Sequence, residues 1–96
     1  SDLRDFRIKM DSIDEHLVEL LSSRMNIARD IGKYKKENGL TVLQLSRWKE
    51  IINSRKVWSE EMGIEQEFLH LVLEQVHKES IRIQAEILNS GLDEES

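Results

Sequence analysis

The chain has 96 residues, with 14 Lys and Arg against 19 Asp and Glu for a net charge of −5, four glycines, no proline and no cysteine. That length gives one small domain. The missing cysteines exclude a disulfide framework or a thiolate metal site, and the mixed, net acidic charge argues against nucleic acid as the main partner. No apolar run reaches the roughly 18 residues of a membrane span and no secretory leader heads the sequence, so a cytoplasmic, membrane-free protein is expected.

The first element is a long helix from Leu3 to about Glu37. Read at a spacing of 3.5, it presents Leu3, Phe6, Met10, Ile13, Leu17, Leu20, Arg24, Ile27, Ile31 and Tyr34 on one stripe. Asp2 is a good N-cap and Asp5 complements the positive end of the helix dipole. Asn38 and Gly39 supply the stop, with Lys33, Lys35 and Lys36 at the negative end. Such a helix is about 50 Å long, whereas a compact domain of this size is only about 32 Å across. A stripe this apolar should not face water, so a dimer with long helices lying side by side is expected.

A short connection, Leu40 to Leu43, leads to a second helix from about Gln44 to Trp58. Its apolar face is Leu45, Trp48, Ile51, Ile52 and Trp58, with Arg47 at its border and Arg55 and Lys56 expected in solvent. Met62 and Gly63 end that region. A third helix from about Glu65 to Leu88 faces Phe68, Leu69, Val72, Val76, Ile83 and Ile87 inward, with Ser80 and Gln84 on the same face. The single domain therefore covers residues 1–90, and the acidic stretch 91–96 is expected to be a frayed tail. The fold class is all-α, with three helices per chain.

Polar side chains stand where the core should be. Arg24 sits inside the apolar stripe, where an arginine needs an anionic partner. Lys35 lies three turns and about 20° further on, about 16 Å along the axis, so both point the same way. Small residues between them, Ala28 and Gly32, leave room for something to lie against the helix. Ser80 and Gln84 are neighbours at i, i+4 on the third helix, and Arg47 adds a cation from the second. Arg7 is about 100° around the helix from Arg24. It would reach such a site only from another chain. The set is rich in donors and lacks a nucleophile–base pair or a metal cluster. It suits a small dicarboxylate held by arginine forks, with chemistry by positioning and electrostatics and no cofactor.

The pattern Arg7-x6-Asp14, Leu17-x3-Leu21-x2-Arg24, Ala28-x2-Ile31-Gly32-Lys33-x-Lys35, Arg47 and Glu79-Ser80-x3-Gln84 resembles the all-helical chorismate mutases. The resemblance implies an intertwined homodimer with two shared sites and the cofactor-free rearrangement of chorismate to prephenate in aromatic amino-acid biosynthesis. It further implies that Arg7 of one chain joins Arg24 and Arg47 of the other on the two carboxylates, assisted by Ser80. Lys35 and Gln84 would then hold the ether oxygen. The sequence departs from the pattern after Arg47, where Trp48 replaces an acidic acceptor for the substrate hydroxyl. Gln44, one turn earlier, offers a carbonyl instead. An isochorismate pyruvate lyase on the same fold is the alternative enzyme, and a non-catalytic helical dimerisation or regulatory module is the alternative of another class. Such mutase domains also occur fused to other enzymes of the pathway, and the ends of this sequence are those expected of an excised domain.

Trp48 and Trp58 are assigned to the core, Asp14 to a structural ion pair and His16 to the surface. His70 and His77, seven apart, make only a weak metal signal.

Overall fold

The computed structural model describes residues 2–95, with side chains for residues 2–90. It contains three helices and, among the described residues, no strand: α1 Leu3–Glu37, α2 Leu45–Met62 and α3 Gln66–Glu95. No helix among them is long and apolar enough to cross a membrane.

The ends of α1 are set by local chemistry. The Asp2 carboxylate accepts from the Asp5 N–H at 3.0 Å, and the Asp5 carboxylate accepts from the Asp2 N–H at 3.4 Å. This reciprocal box satisfies two N–H groups that the helix leaves free. At the other end Asn38 is the C-cap, and Gly39 follows with φ +64°, a left-handed conformation that glycine adopts without strain.

The second helix runs a turn beyond the expected end at Trp58. Ser59, Glu60, Glu61 and Met62 all tolerate a helix. The stop comes at Gly63, at φ +68°, whose N–H donates to the Ser59 carbonyl. Its N-cap, Gln44, makes no side-chain cap bond. The start of α3 is capped by Glu65, whose carboxylate accepts from the Phe68 N–H at 2.9 Å. This helix continues past the expected Leu88 to Glu95. The side chains of the acidic stretch 91–96, expected to fray, lie outside the described residues.

α3 packs along the second half of α1 and more lightly on α2. Gly32 is the point of closest approach: a Cβ there would stand 3.2 Å from the Gln84 Cα and 3.2 Å from the Ile87 Cδ1. The room that Gly32 leaves is therefore occupied by α3, and only Ala28, four residues earlier, borders an open space. Among the described residues the buried set is small: Ala28, Gly32, Ile51 and Ile83, with the polar Ser59, Ser80 and Gln84.

The remaining apolar stripe of α1 lies open. Leu3, Phe6, Met10, Ile13, Leu17 and Leu20 are all exposed, Ile13 to 67%. The chain is 60 × 28 × 16 Å with a radius of gyration of 17.3 Å, against about 12.5 Å for a compact domain of this length. Two assignments to the core change for the same reason. Trp58 is 48% exposed, with the Arg55 guanidinium 4.7 Å from its ring centroid. Trp48 is only half-buried. Too little of the chain folds back over α2 to cover either ring. Arg55, expected in solvent, is half-buried instead. Its Nη1 donates to the Ser54 hydroxyl at 2.6 Å, and its Nε has no partner among the described residues.

Gly32→Ala is expected to lower stability by up to about 2 kcal/mol. An overpacking cost of about 1–3 kcal/mol is partly offset by about 1 kcal/mol of helix propensity. Urea denaturation monitored by circular dichroism reads the change, and a variant more stable than the parent would show that α1 and α3 part without cost.

Candidate functional site

Between the second half of α1, the start of α2 and the middle of α3 lies a cavity of about 380 Å³. Its wall contains Arg24 and Lys35 from α1, Gln44 and Arg47 from the start of α2, and Ser80 and Gln84 from α3. Six of the seven residues singled out in the sequence thus meet in one place. Arg7 does not. It is exposed, 17 residues before Arg24 on a continuous helix and so about 25 Å away along it.

The polar atoms in the wall are ordered by one chain of bonds. The Lys35 ammonium donates to the Val42 carbonyl at 2.6 Å and to the Gln84 Oε1 at 2.7 Å. The Gln84 Nε2 donates to the Ser80 hydroxyl at 3.0 Å. An ammonium has three protons and a side-chain amide two. Lys35 and Gln84 therefore each keep one proton uncommitted, on groups that touch each other. Helix α3 makes this arrangement possible: Gln84 is 4% exposed and its backbone rests against Gly32, three residues from Lys35.

The cations of the wall are not neutralised by the protein. Arg24 has no ion pair among the described residues. Burial, and then the charge of Arg47, push its guanidinium below the ordinary arginine range. Arginine nevertheless remains charged. Arg47 pairs only with Glu50, at 3.3 Å and in solvent, a contact of little energetic weight. Burial also holds the Lys35 ammonium below its usual value. Several partly desolvated cations with no anion among them are a site prepared for one.

The sequence reading passed over one group in this wall. His77 borders the cavity, and its ring stacks on Trp48 with centroids 4.8 Å apart and planes inclined by 27°. Its imidazole is held below the ordinary histidine value by burial first, then by Arg24, Arg47, Lys35 and Arg55. The signal was available, since His77, Ser80 and Gln84 stand at i, i+3 and i+7 on α3. His70 lies 6.2 Å from Trp48 on the other side and pairs with Glu74, so the two histidines share no ligand position. Among the described residues no group of three or more His, Asp or Glu could hold a metal ion. Asp14 is exposed and does not form the ion pair expected of it with any described residue.

A second cleft, about 410 Å³, lies between α2 and the start of α3. It places Glu65 and Glu67 beside Arg55 and Lys56. The opposed charges cancel, so this cleft has no reason to gather a dianion.

A family model described as chorismate mutase type II matches residues 6–85. Among curated proteins, the chain is 30% identical over 78 residues to a T-protein of Haemophilus influenzae, covering 81% of this chain. It is 29% identical over 80 residues to a T-protein of Enterobacter agglomerans, covering 83% of this chain. In both cases the match spans 21% of the relative, so the chain corresponds to about a fifth of their length.

The electrostatics of the wall can be read at His77. In the unfolded chain an imidazole titrates near pH 6.5, and in the fold it titrates lower. Between those values the unfolded state binds more protons. Stability from this group is therefore complete above about pH 6.5 and is lost as the pH falls toward the folded value. Arg24→Gln removes the neighbouring charge that acts most strongly on His77 and is expected to move its midpoint upward in an NMR titration. An unmoved midpoint would mean that Arg24 does not act on this cavity.

Proposed function

The chain belongs to the chorismate mutase type II family, and on that premise we propose that it converts chorismate to prephenate in a homodimer with two shared sites. The observation that carries this reading is the pair of uncommitted protons on Lys35 and Gln84. In the rearrangement a C–O bond of the ether bridge breaks while a C–C bond forms within the same molecule. No atom is gained or lost, and no proton has to move. Negative charge grows on the ether oxygen as its bond lengthens. Two donors preorganised on that oxygen bind the transition state more strongly than the substrate, and such a difference is what accelerates a reaction.

The carboxylates are the other half of the problem. Arg24 and Arg47 offer guanidinium forks from two helices, and the Ser80 hydroxyl can donate beside them. Their unpaired charge supports a dianionic substrate held in the bent conformation from which the reaction proceeds. Gln44 and Ser80 complete the substrate contacts. Arg7 cannot reach the cavity of its own chain. The exposed stripe from Leu3 to Leu20 supports the pairing that would bring it to a partner's cavity, because covering that stripe would carry the start of one α1 across the other chain. An apolar stripe of this length left in water would cost about 25 cal/mol for each Å².

The lyase alternative would use the same cations to hold isochorismate while pyruvate leaves. The family match favours the mutase. A non-catalytic dimerisation module would account for the stripe but has no use for cations, Ser80 and Gln84 converging on one cavity. The T-protein relatives extend well beyond this chain's match, which leaves room for a fused partner in a longer protein.

The test of the reading is loss of chorismate absorbance on adding purified chain. Prephenate formation is expected. Pyruvate release from isochorismate without turnover of chorismate would establish the lyase, and inactivity on both would leave the interaction module. Lys35→Ala is expected to lower kcat about 10²–10³-fold, the usual effect of losing a preorganised donor. A near-normal kcat would remove Lys35 from the mechanism.

Sharing of sites has its own test. Arg7→Ala and Arg24→Ala are each expected to be nearly inactive alone. Unfolded together and refolded, they should recover about a quarter of the parent activity, since half of the dimers would carry one intact site of two. No recovery would mean that Arg7 and Arg24 of one and the same chain serve a single site, and would overturn the sharing.

A further inference from the structure

The geometry points to His77 as a substrate-binding residue: its imidazole, seated on Trp48, accepts the hydrogen bond of the substrate hydroxyl. This inference rests on the mutase reading above and adds a residue to it. Chorismate carries one hydroxyl besides its carboxylates and ether bridge. Enclosed in the cavity, that hydroxyl needs an acceptor, because a buried donor left unpaired costs about 1–3 kcal/mol.

Acceptors are scarce in this wall. Arg24, Arg47 and Lys35 only donate. The Gln84 Oε1 and the Val42 carbonyl are both turned to the Lys35 ammonium. The Ser80 hydroxyl already accepts from the Gln84 amide. Two uncommitted acceptors remain. One is the Gln44 carbonyl, on an exposed side chain whose amide donates to Thr41 at 3.0 and 3.2 Å. The other is the unprotonated nitrogen of His77, which makes no hydrogen bond to any described residue. His77 is half-buried, and the 4.8 Å stack on Trp48 fixes its ring in the cavity wall. A hydrogen bond to a partly desolvated acceptor is electrostatically stronger than one to an acceptor exposed to water.

The surrounding charges keep this nitrogen available. Arg24 and Lys35 face it from α1, and Arg47 and Arg55 from α2. Lys78 and Glu74 flank it on α3, but the Glu74 carboxylate is engaged by Lys78 at 3.2 Å and His70 at 3.6 Å. Gln44 and Ser80 are neutral. Burial first, and then the cations that grip the carboxylates, hold His77 in its neutral, accepting form. A protonated imidazole would only donate and would lose the hydroxyl.

Steady-state kinetics on chorismate across pH 5–8 tests this with two variants. His77→Leu removes the acceptor and is expected to raise KM about ten-fold, the equivalent of one lost hydrogen bond, with a smaller change in kcat. His77→Gln keeps an acceptor that cannot titrate. It is expected to stay within about three-fold of the parent KM at neutral pH and to lack the acid-side fall in kcat/KM that the parent shows as His77 protonates. Circular dichroism verifies that each variant is folded, and the glutamine variant carries the test if the leucine variant is not. A parent KM in His77→Leu, with the loss appearing in Gln44→Leu instead, would overturn the assignment, as would the same acid limb in His77→Gln and the parent. A parent chain that does not turn over chorismate overturns the mutase reading and this one with it. Turnover with a silent His77 overturns this one alone.

Discussion

The Lys35 ammonium, held between the Val42 carbonyl and the Gln84 amide at 2.6 and 2.7 Å, is the contact on which the rest of the cavity depends. It joins the end of α1 to the middle of α3 and to the connection that leads into α2. Without it, the amide of Gln84 would have no reason to face the cavity. Gly32 lets the two helices approach until a Cβ would stand only 3.2 Å from the Gln84 Cα. A glycine three residues from Lys35 thus marks the closest approach of the two helices that carry Lys35 and Gln84. Burial disfavours the charge on Lys35, and the two bonds satisfy two of its three protons. What remains is a cation with one proton left to offer.

A second constraint is the shape of the chain. A helix as long as α1 cannot be covered by the two helices that follow it. The first half of its apolar stripe stays open, as do Leu45 and Met62 on α2 and Phe68 on α3. The fold of one chain is thus a scaffold with a small core at one end and a long unpaired arm. That arm carries Arg7. The apolar stripe and the distant arginine are two aspects of one requirement: whatever covers the stripe determines where Arg7 goes.

Much of this was legible in the sequence. The 3.5-residue stripe and the Asp2 and Asn38–Gly39 signals located α1 to the residue, because periodicity and caps agree over its whole length. The phase relation of Arg24 and Lys35, and the i, i+4 spacing of Ser80 and Gln84, identified cavity residues before any coordinates, because a straight helix fixes direction as well as distance. The failures have physical reasons too. The sequence pattern places the end of α2 at Trp58, but the helix runs on through Met62 and the true stop is the left-handed Gly63. Gly32 read as space for a ligand because spacing on one helix does not reveal what another helix inserts there. Arg55 and the two tryptophans were assigned by residue type, but their exposure depends on how α2 lies against the rest. His77 was weighed only as a metal ligand with His70, and its relation to Trp48 is a contact between two helices that neither helix predicts alone.

The central claim is that Gln84 and Lys35 donate together to one developing charge, and Gln84→Glu tests it most directly. A carboxyl at that position can donate only while protonated. The account predicts that kcat of this variant rises toward the parent value in acid and falls as the introduced carboxyl ionises, on a profile the parent does not share. A variant with the parent's pH dependence and near-parent kcat at neutral pH would contradict it, because the donor would then be unnecessary.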